Sequence, residues 1–420
     1  MELPLNKILF KERRKKLVQQ ISTHLEMPVL LLGAFENERS SFYQDSSFFY
    51  FTGISEPGLA CIIEPDESDI LLIPDYASSR AAWMGDTLSL NENTAQIYGF
   101  EQAMPLGKAI KGYRTGFFDP INQWDTLIIH IKNLLKDYKT IGICPHPFLY
   151  RLYSELPALK ESIYDISPTI ASMRRSKSKP EIELLFRAGE VTLLAQEAAA
   201  AAIKAGESES SIRASIDYIF AQENAEHAFP SIVAGGKRAT ILHYTGSSES
   251  PLSNEELVII DIGASVEHYC ADVTRTYPVS GTFSKRQLEL YRLVLEAQEL
   301  VANLAQPGFY LRNNEFPEKS LHHHAVAFFK DHNLDAYFTH GIGHFLGLDV
   351  HDTGDVLQPL QEGDVITIEP GLYIPQEGIG IRIEDDYWIV KNGAVSLTDR
   401  LPKAPEALED FIRQLRSPIA

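Results

Sequence analysis

Cysteine is scarce in this chain of 420 residues: Cys61, Cys144 and Cys270 stand far apart and no Cys-x-x-Cys pair occurs. A thiolate zinc site is therefore disfavoured, and a sparse, odd count fits a reducing compartment. Excess positive charge is also missing. The formal net charge is −19, which argues against nucleic-acid binding and against adhesion to anionic membranes. No apolar run approaches the roughly 20 residues that span a bilayer. The basic stretch Lys11-Glu12-Arg13-Arg14-Lys15-Lys16 leads into no apolar segment of secretory type. A cytoplasmic protein is expected. Neither a Gly-x-Ser-x-Gly elbow nor a Gly-x4-Gly-Lys-Ser/Thr loop is found, so serine-nucleophile and phosphate-loop chemistry have no support.

What is present is ordinary in composition, with 44% apolar and 23% charged residues, and long enough for two or three domains. Residues 1–172 read as a mixed α/β domain. A basic amphipathic helix opens it, and strand-like runs follow at 29–32, 48–51, 60–63 and 70–73. The polar, basic joint at 173–180 marks the boundary of a second domain, 173–420. There, Ser178 and Glu181 have capping-box spacing and predict a helix to about Gly206, followed by another over 208–224. The plan recurs: Ser284 and Gln287 start a helix that runs to Pro307-Gly308, and another spans 316–332. In each half, two helices precede an acidic strand pair. The offset of roughly 105 residues exceeds solenoid periods, which predicts a duplicated two-half α+β domain.

The first strand pair holds Val258-Ile259-Ile260-Asp261-Ile262-Gly263 and Tyr269-Cys270-Ala271-Asp272-Val273. A turn centred on Val266-Glu267 would set Asp261 directly opposite Asp272. The second holds Ile366-Thr367-Ile368-Glu369-Pro370-Gly371 and Gly380-Ile381-Arg382-Ile383-Glu384. A turn centred on Gln376-Glu377 sets Glu369 opposite Glu384, with Arg382 on the same face as Glu384. Any one such acid is more commonly a solvated or salt-bridged strand position. Two acid pairs on apolar strands are harder to explain so, because close carboxylates repel unless cations lie between them. Oxygen ligands joined by an imidazole or two suit a pair of divalent ions.

His340-Gly341-Ile342-Gly343-His344-Phe345-Leu346-Gly347-Leu348-Asp349-Val350-His351-Asp352 offers the imidazoles. Its glycines disfavour a helix, so a loop or strand should carry His344. His243, taken alone, reads more readily as a packed histidine. The triplet His322-His323-His324 falls on a predicted helix, where successive residues face different ways, and is not expected to bind metal.

Asp-x-Gly at 261–263, Asp-Val-Thr-Arg-Thr at 272–276, the histidine segment at 340–352, Ile-Glu-Pro-Gly at 368–371 and Gly-Ile-Arg-Ile-Glu-Asp at 380–385 together resemble the pita-bread metallopeptidases, in particular their aminopeptidase P branch. Ser47-Phe48-Phe49-Tyr50-Phe51-Thr52-Gly53-Ile54-Ser55-Glu56-Pro57 resembles the N-terminal domain of that branch. The resemblance implies an exopeptidase that removes the residue before a proline, with a prolidase acting on Xaa-Pro dipeptides as the alternative. Relatives that use the fold without metals lose ligands, whereas this chain keeps the whole set.

By the same resemblance, Asp261 chelates one metal, Asp272 and Glu384 bridge both, and His344 and Glu369 hold the other. A bridging hydroxide attacks the scissile carbonyl, with Glu369 as proton shuttle. His243 and His351 bind substrate and steady the tetrahedral intermediate, while His340 and Arg382 support the site. Manganese is the implied metal; zinc, cobalt and iron fit the same ligand types. Proline-containing peptides are the implied substrates, a dimer or tetramer the implied assembly, and Trp83 a residue lent to a neighbour's proline pocket. Two positions depart from the pattern: His268 replaces a glycine, and Arg238 replaces an asparagine. Histidine tolerates a left-handed conformation better than most residues, so the turn is expected to survive.

Overall fold

The computed structural model describes residues 6–22, 26–35, 41–74, 88–107, 125–147, 149–246 and 248–416. They form two compact units, Met1–Arg174 and Arg175–Ala420. Among the described residues no helix is long and apolar enough to cross a membrane.

The first unit is built on a six-stranded sheet of order β4-β3-β2-β1-β5-β6. Its strands are β1 (Val29–Leu32), β2 (Ala60–Ile63), β3 (Asp69–Ile73), β4 (Gln102–Pro105), β5 (Ile141–Ile143) and β6 (Ile163–Asp165). Residues on β1, β2, β3 and β5 are buried throughout, as strands covered on both faces require. The run at 48–51, expected as a strand, lies instead in the helix Ser46–Thr52. Local caps decide this. Asp45 accepts the Phe48 N–H at 2.8 Å, and Gly53, left-handed at φ 67°, donates its N–H to Phe49 O at 2.8 Å. An aromatic run favours burial, and a helix between two good caps provides it as well as a strand does.

The opening helix Lys7–Ser22 carries a buried cation. Arg14 donates to Asp69 (2.8 Å), to Phe51 O (2.8 Å) and to Gly99 O (2.5 Å). Removing one partner of such a pair leaves the other charge buried and unpaired. Arg14→Met is expected to destabilise the first unit by about 3–5 kcal/mol, read as a lower urea midpoint; a change under about 1 kcal/mol would contradict this account.

The second unit has the expected pita-bread architecture and its repeat. Helix Lys179–Ala202 starts in a Ser178/Glu181 capping box and helix Lys285–Leu304 in a Ser284/Gln287 box. Their C-caps, Ile203 and Ala305, share φ −66°, and each is followed by a left-handed glycine, Gly206 at 86° and Gly308 at 91°. A second helix follows in each half, Glu209–Gln222 and Leu321–Asp331. The strands are β7 (Glu226–His227), β8 (Ile232–Gly235), β9 (Leu257–Ile262), β10 (Ala264–Val266), β11 (Tyr269–Cys270) and β12 (Val273–Pro278) in the first half. The second half supplies β13 (Val365–Ile368), β14 (Gly371–Ile374), β15 (Ile379–Arg382), β16 (Asp385–Val390) and β17 (Gly393–Ser396). Helix and strand side chains such as Ala195, Ile260, Val294, Ile366, Ile381 and Ile383 share one core.

Register is where the sequence reading needs correction. The first hairpin turns at Glu267-His268, both left-handed (φ 49° and 70°), which is the two-residue turn that matches strand twist. His268 thus does adopt the conformation a glycine would take. The turn lies one residue later than expected, so Asp261 faces Thr274 rather than Asp272. Asp272 is two residues from Thr274 and is the diagonal neighbour of Asp261 on the same face. In the second hairpin the expectation holds. Ile368 pairs with Asp385 and Gly371 with Arg382, which leaves Glu369 opposite Glu384.

Candidate metal centre

Strand alternation turns Ile381 and Ile383 into the core and Arg382 and Glu384 to the opposite face. The two hairpins of the second unit and the glycine-rich loop open on one cavity of about 420 Å³. All the residues expected at the site line it: Asp261, Asp272, Glu369, Glu384, His344, His243, His340, His351 and Arg382. Phe229, Ile232, Leu242 and Val350 give it an apolar wall. The segment at 340–352 is irregular, as its glycines require, apart from an isolated bridge between Phe345 and Ile366.

One ligand atom from each of Asp272, His344 and Glu384 lies within 4.8 Å of the others. His344 Nε2 is 3.5 Å from Asp272 and 3.6 Å from Glu369. Its other nitrogen, Nδ1, sits 3.1 Å from Phe345 O. A carbonyl only accepts, so Nδ1 carries a proton and donates there, which leaves Nε2 as the nitrogen turned to the acids. Asp261 Oδ2 accepts a hydrogen bond from Arg382, while Asp261 Oδ1 and Asp272 Oδ1 are buried without a hydrogen-bond partner. These two orphaned carboxylate oxygens are acceptors without donors, in a cavity that His344 also lines. Divalent cations fit that donor set.

The electrostatics agree. Burial, then Glu384 and Asp261, push the Asp272 carboxyl well above the usual range. Burial, then Glu369 and Asp261, do the same to Glu384. Burial also raises Glu369, against the pull of His344 and Arg382. Burial and Arg382 drive His340 down to about 3, so it is neutral and its 3.7 Å approach to Glu369 is not an ion pair. His340 Nδ1 therefore donates to Gly341 O (2.8 Å), and Nε2 accepts from Tyr373 (2.9 Å), whose hydroxyl oxygen accepts from Arg382 (2.8 Å). Burial and then His344 hold His351 below the ordinary histidine range.

Several contributors escaped the sequence reading. Thr274 donates to Glu384 at 2.6 Å, and Thr367 to Glu369 at 3.3 Å. Each lies two residues from an acid, and strand alternation alone could have placed both on the acids' face. Tyr373, which joins His340 to Arg382, left no signal. Asp386 accepts the Asp272 N–H at 3.1 Å. Lys177 lies in a joint read as polar and basic, yet it is buried and pairs at 3.0 Å with Asp352, beside His351.

Arg238, which stands where the pattern has an asparagine, does not line the cavity. It binds Glu209 at 2.6 Å, and Glu209 also accepts the Gly235 and Ser248 N–H groups at 2.7 Å, which ties down the loop carrying His243. In the histidine triplet, His323 meets Ser320, His324 meets Glu318 O, and His322 packs on Phe338 and edge-on against His323. Trp83 lies outside the described residues.

Fold and site together define a metal-dependent peptide hydrolase of the pita-bread class. The chain belongs to metallopeptidase family M24, whose model matches residues 183–391; a model of the aminopeptidase P N-terminal domain matches residues 10–113. It is 31% identical to the Xaa-Pro aminopeptidase of Haemophilus influenzae, over 96% of each chain. It is 37% identical to the Xaa-Pro dipeptidase of Pyrococcus furiosus, over 83% of this chain and 90% of that one. The solved structure of Escherichia coli aminopeptidase P with the inhibitor Pro-Leu superposes with a TM-score of 0.84 at 27% identity, covering 98% and 99% of the two chains. A zinc-substituted form of that enzyme in complex with product gives 0.85 at 28% identity, with the same coverage.

The glycines of the histidine loop differ in how much room they have. A Cβ on Gly343 would lie 2.0 Å from Thr367 O, whereas one on Gly341 meets nothing closer than 3.9 Å. Gly343→Ala must push the His344 backbone off β13. It is expected to lower the melting temperature and cut activity more than tenfold, while Gly341→Ala keeps the wild-type melting temperature. Equal melting curves for the two variants would refute this reading.

Proposed function

We propose that this chain is a metal-dependent Xaa-Pro aminopeptidase that removes the N-terminal residue from peptides with proline second. The observation that carries the reading is the convergence of Asp261, Asp272, Glu369, Glu384 and His344 on one cavity, with two buried carboxylate oxygens lacking any hydrogen-bond donor. Likeness over the full length, N-terminal domain included, supports aminopeptidase over dipeptidase. The higher identity to a dipeptidase is confined to a smaller share of the chain, and the shared site chemistry does not separate the two activities.

Asp261, Asp272, His344, Glu369 and Glu384 would hold two divalent ions, which we take to be manganese. Bound there, they supply Lewis acidity to the scissile carbonyl and to the attacking water. Glu369 takes the proton from that water and returns it to the proline nitrogen, which leaves as a secondary amine. His243 and His351 face the same cavity and donate to the carbonyl oxygen as negative charge gathers on it. Neutral His351 keeps an N–H for this purpose. Arg382 fixes Asp261, and through Tyr373 it fixes His340.

An Xaa-Pro bond is a tertiary amide without an N–H, so a site that grips that hydrogen fails on it; this site depends on carbonyl polarisation instead. We also infer domains at 1–172 and 173–420, a cytoplasmic location, and a dimer or tetramer.

Asp272→Ala and Glu384→Ala are expected to lose bound metal and at least about a thousandfold in kcat, an effect of the order that removing a main charge-stabilising group has. Metal analysis beside an Xaa-Pro-Xaa assay checks this, and full activity in chelator would refute it. A parallel assay of Gly-Pro decides between the readings, since cleavage of dipeptides alone would make the chain a prolidase.

The raised carboxyls give a pH signature. In the metal-free fold Asp272, Glu369 and Glu384 hold protons that the unfolded chain has already released, so stability falls as pH rises above the ordinary carboxylate range. Metal removes that repulsion and displaces the protons. The gain in melting temperature on adding manganese should therefore be larger at pH 8 than at pH 5.5; a gain that shrinks with rising pH would count against the site.

A further inference from the structure

Two glutamines are buried where the long helices of the second unit press on the hairpins. Gln196 lies on helix Lys179–Ala202 and Gln298 on helix Lys285–Leu304, and neither has any solvent exposure. They occupy equivalent places, since Gln196 precedes its C-cap Ile203 by as many residues as Gln298 precedes Ala305. An amide in that apolar layer is costly unless all its groups are paired, and both are.

Gln196 Nε2 donates to Ile260 O (3.1 Å) and Val273 O (2.8 Å), while its Oε1 accepts from Tyr277 (3.0 Å). Gln298 Nε2 approaches Ile368 O (3.2 Å), Ile383 O (3.4 Å) and Asp385 (3.1 Å), and its Oε1 accepts from Lys403 (2.9 Å). Ile260, Ile368 and Ile383 immediately precede Asp261, Glu369 and Glu384, and Val273 immediately follows Asp272. A peptide unit is planar, so a carbonyl held in place fixes the N–H of the next residue and narrows that residue's freedom.

We propose that Gln196 and Gln298 are a symmetry-related pair of positioning residues, each clamping one hairpin so that the four carboxylates keep the spacing divalent ions need. The proposal rests on the metal reading above. Ladder hydrogen bonds alone do not do this job. Asp272, Glu369 and Glu384 all fall outside regular strands; Gln298 bonds the Ile368 and Ile383 carbonyls on the two sides of the second hairpin's break, and Gln196 bonds those of Ile260 and Val273, the strand residues next to Asp261 and Asp272. Like-charged side chains pushed together would otherwise relax apart in the metal-free protein, and that relaxation would have to be reversed on each binding event.

The test is a manganese titration of full-length protein against a chelating dye, with kcat and KM for an Xaa-Pro-Xaa peptide. Gln196→Met and Gln298→Met preserve volume and remove the amide. Each is expected to weaken manganese binding roughly 10- to 100-fold, as losing a residue that orients metal ligands does. Excess metal should restore much of kcat, with KM for the peptide nearly unchanged. A folded variant that binds manganese within about twofold of wild type would overturn the proposal. Where a Met variant does not fold, the Asn variant, with its amide withdrawn by one methylene, takes the same reading; failure of both to fold would also overturn it, because the amides would then serve the scaffold. Asp272→Ala is the control. If it binds manganese as tightly as wild type, the metal reading itself fails; if it loses manganese while the glutamine variants keep it, only the present inference falls.

Discussion

Four carboxylates share one buried cavity with a single arginine, and the rest of the second unit is arranged to tolerate their repulsion. Desolvation and mutual charge push Asp272 and Glu384 toward the protonated state in the metal-free fold. The acids stay together because they are mounted on strands whose opposite faces are buried in a common core. Asp385, next to Glu384, shows the contrast. Burial opposes its ionisation too, but Arg275 and Lys403 at 2.6 and 2.8 Å outweigh it and hold the carboxyl below the usual range. One acid of that adjacent pair is neutralised by the protein and locks the fold; the other is left for an external cation.

The pseudo-two-fold repeat explains how such a site is assembled. Each half brings a capped helix, a second helix and a hairpin, and each half alone presents two acids. Only the meeting of the halves creates a cavity in which those acids face one another. Cross-half contacts fix the meeting: Arg275 of β12 donates to Glu384 O at 2.7 Å, Thr276 to Arg382 O at 2.9 Å, and Thr274 to Glu384 itself. The glycine-rich loop is docked onto this frame through Cys270 N–H to Gly347 O (2.8 Å) and the Lys177–Asp352 pair, so His344 and His351 arrive with fixed orientation.

The acid pairs, the histidine loop and the two-half plan are all legible in the residues alone, because each leaves a short periodic mark: alternation on a strand, capping-box spacing, glycines around an imidazole. Two local expectations fail for a common reason. The strand expected at 48–51 is a helix, and the first hairpin turns one residue late. In both places a single backbone conformation, a left-handed Gly53 or His268, sets the outcome, and hydrophobic pattern is blind to it. Moving that turn by one residue shifts the pairing by two, which changes a direct acid pair into a diagonal one. Strand parity is preserved, so the acids remain on one face.

By itself the sequence determined which side chains could meet: the acids at 261, 272, 369 and 384, the imidazoles at 340, 344 and 351, and the faces they occupy. For the acids this follows from local geometry, in which side-chain direction repeats every second residue along a strand; the imidazoles are marked by the glycines around them and by the family resemblance. Only the tertiary structure decided what surrounds them. Tyr373 joining Arg382 to His340, Lys177 buried against Asp352, and Glu209 gathering the loop of His243 link residues far apart in the chain, and no local period encodes such contacts. Burial turns these polar groups into an obligate network, since each must find a partner once water is gone, and which partner it finds is settled by how the helices and hairpins pack.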